Sequence, residues 1–178
     1  APENVDAVKA DNDEGAVGAA TVGSALYAYP LTSDNGYFMY YDKSVVTDPT
    51  DLDAIIADCE KAGKNIYMEI NSGWYQTAFF FGTGCDLSYE TDDAGNFTSA
   101  NVDYASDQGL VALKEMIRLS SSSSFVNGSV AGDATNIGAI VDGTWDASAV
   151  KEVLGDNYGC APLPSFQGSD GMTYPMSG

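Results

Sequence analysis

The chain holds only two tryptophans, and both stand at the same point of the same local pattern. In Asn65–Gly84, NIYMEINSGWYQTAFFFGTG, the apolar run Ile66–Ile70 has the composition of a strand buried inside a mixed or parallel sheet. Asn71, Ser72 and Gly73 break it, and Asn71 or Ser72 offers a side-chain oxygen to cap the helix that follows. From Trp74 to Phe81 that helix is apolar nearly all round, which predicts burial on several sides. The layout returns downstream: a strand over 136–141 (NIGAIV), the turn Asp142-Gly143-Thr144-Trp145, then a helix to about Leu154. Strands alternating with helices define an α/β chain. If the two strands share one sheet, both indoles reach the rim at the strands' carboxyl ends, where open α/β sheets bind ligands. A single tryptophan at such a turn is as readily explained by packing; two at matched positions favour a binding rim.

The charge balance narrows the ligand. Seven Lys+Arg face 26 Asp+Glu in 178 residues, a formal net charge of −19. Such a surface repels phosphate backbones and anionic lipid, so nucleic acid is excluded as a natural partner and an anionic ligand is disfavoured. Histidine is absent, which removes the commonest general base and zinc ligand. The three cysteines, Cys59, Cys85 and Cys160, form no CxxC, so neither a zinc site nor a redox motif is present. Asp11–Gly15 (DNDEG) lacks the alternating ligands and distal Glu of a calcium loop and reads as a solvated turn. No stretch is long and apolar enough to span a membrane; an exported form would carry its leader ahead of Ala1.

Along the chain, Pro2–Lys9 reads as a helix with Pro2 near its first turn. Ala25–Pro30 and Tyr37–Tyr41 read as strands, with Asp34 and Asn35 in the connection. Asp51–Ala62 is a helix whose apolar face is Leu52, Ile55, Ile56 and Cys59, ended by Gly63. Leu87–Phe97 is a hairpin with its tip at 93–96. A helix over 103–119 carries Leu110, Leu113, Met116 and Ile117 on one face, and Ser120–Ser124 follows as loop or frayed end. Asn157–Leu163 is the last strand, and the Gly/Ser-rich tail has the composition of a crossing or a truncated end. In this alternation the ends of the helices holding Cys59 and Cys85 both fall at the edge opposite the tryptophans. A Cys59–Cys85 disulfide is therefore geometrically open, and export would permit it; Cys160 reads as a small buried hydrophobe.

Six segments in this order, ALYAYPL, YFMYYDKS, the helix ending EKAGK, NIYMEINSGWY, GAIVDGTW and YGCAPLPSF, resemble the extracellular solute-binding proteins of carbohydrate ABC importers, family 1, the maltose/maltodextrin-binding type. The resemblance covers about residues 20–168. It implies a periplasmic-binding-protein-like α/β lobe, a mixed sheet flanked by helices, truncated: residues 1–25 would end a first lobe or linker, 26–164 would form the second lobe, and 165–178 a crossing segment or tail. It implies a neutral oligosaccharide held between two lobes, no cofactor, ABC permease subunits as partners, and an extracellular or periplasmic place with membrane contact only through a lipid anchor. By resemblance Trp145 stacks on a sugar ring, Tyr75 is an aromatic at the cleft with Trp74 beside it, and Asp34 or Asn35 bonds sugar hydroxyls. Asp142, just ahead of Trp145, joins the candidate set. Gly73 stands where the maltodextrin type keeps an acidic residue, which leaves other oligosaccharides open.

Two other function classes fit less well. A glycoside hydrolase would need two carboxylates at a set separation, drawn from Glu69, Asp142, Asp34 and Asp146; with so many acids a pair arises by chance, and no nucleophile elbow, metal set or histidine triad accompanies it. An interaction module without a small ligand is the third class; tryptophan emission of the full-length protein titrated with oligosaccharides separates it, a flat response across sugars favouring the module.

Overall fold

A computed structural model describes residues 4–177; Pro2 lies outside them. The chain divides into two compact units. One comprises the described residues up to Asn35 together with Leu87–Val102; the other comprises Gly36–Asp86 and the chain from Asp103 onward.

In chain order, the first unit opens with helices α1 (Val5–Asp11) and α2 (Glu14–Ala19), then the short pair β1 (Thr21–Val22) and β2 (Ala25–Leu26). The acidic DNDEG segment is therefore a helix start: the Asp13 carboxylate accepts from the free N–H groups of Gly15 and Ala16 and caps α2. In the second unit come β3 (Tyr37–Asp42), α3 (Leu52–Ala62), β4 (Asn65–Tyr67) and α4 (Gly73–Gly82). Asp51 caps α3 by accepting from Asp53 N at 2.9 Å, and Gly63, at φ 63°, closes it. The hairpin β5 (Leu87–Thr91) and β6 (Phe97–Val102) belongs to the first unit. The Asp92 carboxylate pins its tip, accepting from Ala94 N and Asn96 N at 3.0 and 2.8 Å.

The second unit resumes with α5 (Asp107–Ser120), β7 (Phe125–Val126), β8 (Ile137–Gly143), α6 (Ala147–Leu154), β9 (Tyr158–Ala161), β10 (Ser165–Gln167) and β11 (Thr173–Pro175). Its five-stranded sheet has the order β7-β4-β8-β3-β9. Strands β7, β4 and β8 are parallel, while β3 runs antiparallel to both β8 and β9. One face is covered by α3, α4 and α5, which bury Ile55, Cys59, Phe79, Ala112 and Leu119 against Met39, Ile66 and Val141. The other face packs Tyr40, Tyr67 and Ile140 against Val150 of α6. The tail is not a loose end: β10 and β11 pair antiparallel, and Phe166 is fully buried beside Phe79.

Several expectations are corrected. The 66–70 strand stops at Tyr67, because the chain then turns on Ile70 N to Met68 O (2.8 Å) and Ser72 N to Glu69 O (2.9 Å). Helix α4 buries Tyr75, Ala78 and Phe79 but leaves Trp74 and Phe81 exposed. On α5, Met116 is buried while Leu110, Leu113 and Ile117 are exposed; the packed face includes Glu115, whose carboxylate accepts from Arg118 Nε at 2.8 Å. Pairing with Arg118 is what lets this acid replace leucine on the inner face.

The cysteines are also corrected. Cys59, Cys85 and Cys160 are all free thiols. Cys59 lies against the sheet at Gly138, where an added Cβ would meet its Sγ at 2.6 Å. Cys85 Sγ instead lies 3.7 Å from Thr83 Oγ1 and 3.9 Å from Ser106 Oγ, so the two sulfurs have different neighbours. Cys160 is exposed, since β9 is the edge strand. Burial, with the charges of Asp58 and Asp42, pushes the Cys59 thiol up to about 12. A thiol-specific reagent at pH 8 is accordingly expected to modify Cys160 first and the other two only on unfolding; rapid modification of Cys59 in the folded protein would contradict this packing.

Candidate functional site

The site grows out of two adjacent strand ends. Strands β4 and β8 are hydrogen-bonded neighbours running in the same direction, so the turns that follow them leave the sheet at one edge. Trp74 opens α4 after the first turn, and Trp145 lies in a single 3-10 turn, Thr144–Asp146, after the second. Both indoles are open to solvent, at 47 % and 55 % exposure.

Neither turn is built quite as its sequence predicts. Ser72 occupies the N-cap position of α4 but its side chain makes no capping bond. The turn is fastened instead by Gln76 Nε2, which donates to Ile70 O at 2.9 Å, and by Asn71 N, which donates to Asn127 Oδ1 at 3.2 Å. At the second turn, Gly143 leaves room for the indole of Trp145 to fold back over the end of β8: an added Cβ would lie 2.1 Å from the ring.

Tyr37, the first residue of β3, joins the two. It pairs in register with Gly143, beneath Trp145. Its ring meets Trp74 edge-on at 5.9 Å and Tyr75 at 5.0 Å, and its hydroxyl donates to Trp74 O at 3.3 Å. It also walls a recess of about 240 Å³ with Phe38, Pro162, Leu163, Met176 and Ser177. Sequence reasoning missed Tyr37, because its place follows from the antiparallel pairing of β3 with β8, which no local motif signals.

Tyr75 and Asp142 do not face solvent as binding residues would; they are 5 % and 1 % exposed. The reason for Tyr75 is helical rotation: one residue turns the side chain by about 100°, from the open side where Trp74 lies to the packed side. Asp142 ends up beneath the rim. Its Oδ1 accepts from Gly143 N at 2.9 Å and Tyr75 OH at 3.4 Å, and its Oδ2 accepts from Val130 N at 2.9 Å. Tyr40 OH donates to Gly143 O at 2.9 Å. The pair thus supports the tryptophan turns from behind. Burial, then the neighbouring Asp142 charge, raises the Tyr75 phenol above its ordinary range, so it stays protonated and donating.

Asp146 is half-buried; burial first, and the neighbouring Asp142 charge second, hold its carboxyl above the usual carboxylate range. As a hydrolytic pair these two acids are poorly placed, because Asp142 is buried and already bonded to three donors. Glu69 is half-buried in the turn after β4. Asp34 and Asn35 belong to the first unit, where both are exposed and Asp34 N donates to Thr32 Oγ1 at 3.0 Å. Among the described residues no group of three or more His, Cys, Asp or Glu could hold a metal ion, and no helix is long and apolar enough to cross a membrane.

A family model described as bacterial extracellular solute-binding protein matches residues 1–178. Among solved structures, the chain is similar to the maltodextrin binding protein MalE1 from L. casei BL23, at 22 % identity and a TM-score of 0.73, over 99 % of this chain and 46 % of that one. A structure solved with acarbose matches at 28 % identity and TM-score 0.75, again over 99 % and 46 %. The Alicyclobacillus acidocaldarius maltose-maltodextrin binding protein matches at 21 % identity and TM-score 0.68, over 98 % and 48 %. The chain therefore spans about half the length of the structures it matches. No curated protein matches it.

Proposed function

The chain belongs to the family of bacterial extracellular solute-binding proteins, and we propose that it supplies one wall of an oligosaccharide-binding cleft in the substrate-binding component of an ABC importer. The observation that carries this reading is the pair of solvent-open indoles at the ends of adjacent parallel strands. A sugar ring has an apolar C–H face and a fringe of hydroxyls. An indole covers that face, contributing about 1 kcal/mol beyond area burial by analogy with aromatic pairs. The choice of a gluco-oligosaccharide comes from the structural neighbours, whose names specify maltodextrin and maltose-maltodextrin. Residues 26–164 would be the second lobe, 1–25 the end of the first, and 165–178 a crossing segment. Asp34 or Asn35 would bond sugar hydroxyls. Closing of two lobes would remove water, strengthen the polar bonds and signal occupancy to the permease subunits. The whole protein would work at the cell surface, lipid-anchored, or in the periplasm.

One wall binds without that closure, so maltotriose is expected to bind the 178-residue chain only weakly, with a Kd of the order of 1 mM, or about −4 kcal/mol. Tryptophan emission titrated with maltotriose and a panel of other oligosaccharides measures this. A saturable change that weakens at least tenfold in Trp145→Ala supports the reading. A flat response to every sugar, or micromolar affinity unchanged by loss of Trp145, overturns it.

A further inference from the structure

We propose that Asn35 is a site of spontaneous covalent modification, at which the backbone nitrogen of Gly36 displaces ammonia from the side-chain amide and water converts the residue to aspartate or isoaspartate. The fold holds the second Asn-Gly pair, Asn127-Gly128, against the same reaction. This chemistry goes beyond the sugar-binding reading and does not depend on it.

The chain contains two Asn-Gly pairs, and by sequence they are equivalent. Glycine favours the reaction because it has no Cβ to crowd its nitrogen and its backbone turns freely. Exposure does not separate the pairs either, since Asn35 and Asn127 are both exposed. Hydrogen bonding does. Gly128 N donates to Met68 O at 3.3 Å, and Asn127 Oδ1 accepts from Asn71 N at 3.2 Å. The nucleophile and the amide it must attack are thus both fastened to the turn after β4. Residues 34–36 form neither helix nor strand, and among the described residues neither Gly36 N nor the Asn35 side chain has a hydrogen-bond partner. Nothing lies within 4 Å of a Cβ added at Gly36. Asn71, the residue before Ser72, is covered much as Asn127 is, because Ser72 N donates to Glu69 O at 2.9 Å.

Ring closure and hydrolysis together consume one water and release one ammonia. Gly36 N gives up its proton and bonds to Asn35 Cγ; the Cγ–Nδ2 bond breaks, and ammonia leaves with that proton, closing a five-membered succinimide. Water then opens the ring. Cleavage at Cγ leaves aspartate, whereas cleavage at the main-chain carbonyl leaves isoaspartate, in which the chain runs through Cβ and gains one atom. Either product adds a negative charge. The second also lengthens the main chain just before Gly36, whose carbonyl accepts from Thr144 N at 3.0 Å at the start of the Trp145 turn.

Both sites can be followed in one sample. The 178-residue protein is incubated at mildly alkaline pH, folded and in parallel in urea; the tryptic peptides 10–43 and 119–151 are then followed by mass spectrometry, with isoaspartate read by enzymatic methylation. Two hydrogen bonds that must open first are expected to slow Asn127 by at least about tenfold relative to Asn35 in the folded protein. In urea the two rates converge. Asn35→Gln removes the modification at that position, because glutamine must close a six-membered ring, and leaves the Asn127 rate unchanged. In the folded protein, no conversion at Asn35, or conversion at Asn127 as fast as at Asn35, overturns the proposal. So does a difference that survives in urea, since the fold is then not its cause, and so does conversion of the 10–43 peptide undiminished in Asn35→Gln.

Discussion

Asp142→Ala is expected to destabilise the second unit by about 3–5 kcal/mol, the range for breaking a buried polar network and leaving several donors without an acceptor. Three donors lose their acceptor at once: Gly143 N, Val130 N and Tyr75 OH. The group is 1 % exposed, so water cannot readily replace the lost oxygens. With a urea slope of about 2 kcal/mol/M, the midpoint falls by about 1.5–2.5 M. Asp142→Asn keeps one carbonyl oxygen and replaces the other with a donor, and so should fall between parent and alanine variant. A loss below about 1 kcal/mol for Asp142→Ala would mean that the carboxylate does not hold these donors.

Gly143→Ala should act the other way round, with a modest effect on stability and a large one on the rim. Gly143 has φ −68°, a backbone conformation that alanine adopts freely. The obstacle is the indole, three of whose carbons lie 2.1–2.4 Å from the added Cβ. The ring must leave. We expect a shift in Trp145 emission and at least a tenfold loss of maltotriose affinity, about 1.4 kcal/mol, with stability reduced by about 1–3 kcal/mol. Gly73→Ala is the control, because nothing lies within 4 Å of its added Cβ. Equal affinity in the Gly143→Ala and parent proteins would show that the packed position of Trp145 does not matter for binding.

The alternation of strands and helices and the two strand–turn–tryptophan units were legible because each rests on local composition. What the sequence did not reveal lies in pairings between distant residues. Tyr37 reads as one of four aromatics in the run Tyr37–Tyr41, and only its register with Gly143 puts it at the strand end over which one indole folds and beside the other. Asp142 reads as a turn carboxylate open to ligand, yet distant Val130 N and Tyr75 OH draw it inward. Glu115 sits on the packed face of α5 because Arg118, one turn on, pairs with it. The cysteines of α3 and the α4–β5 connection looked bondable from the direction of their helices, but direction alone does not bring two sulfurs together.

The sheet order also governs how the polypeptide matures. Strand β3 is made before its partners β8 and β9; Tyr40 waits for Ile140, about 100 residues later. At a synthesis rate of about 5–20 residues per second, that interval lasts roughly 5–20 s. Throughout it, the aromatic run Tyr37–Tyr41 has no ladder to join. Pairing across so long a separation must meet its loop-closure entropy before the ladder rewards it, so completion of this sheet's centre is a late step of folding.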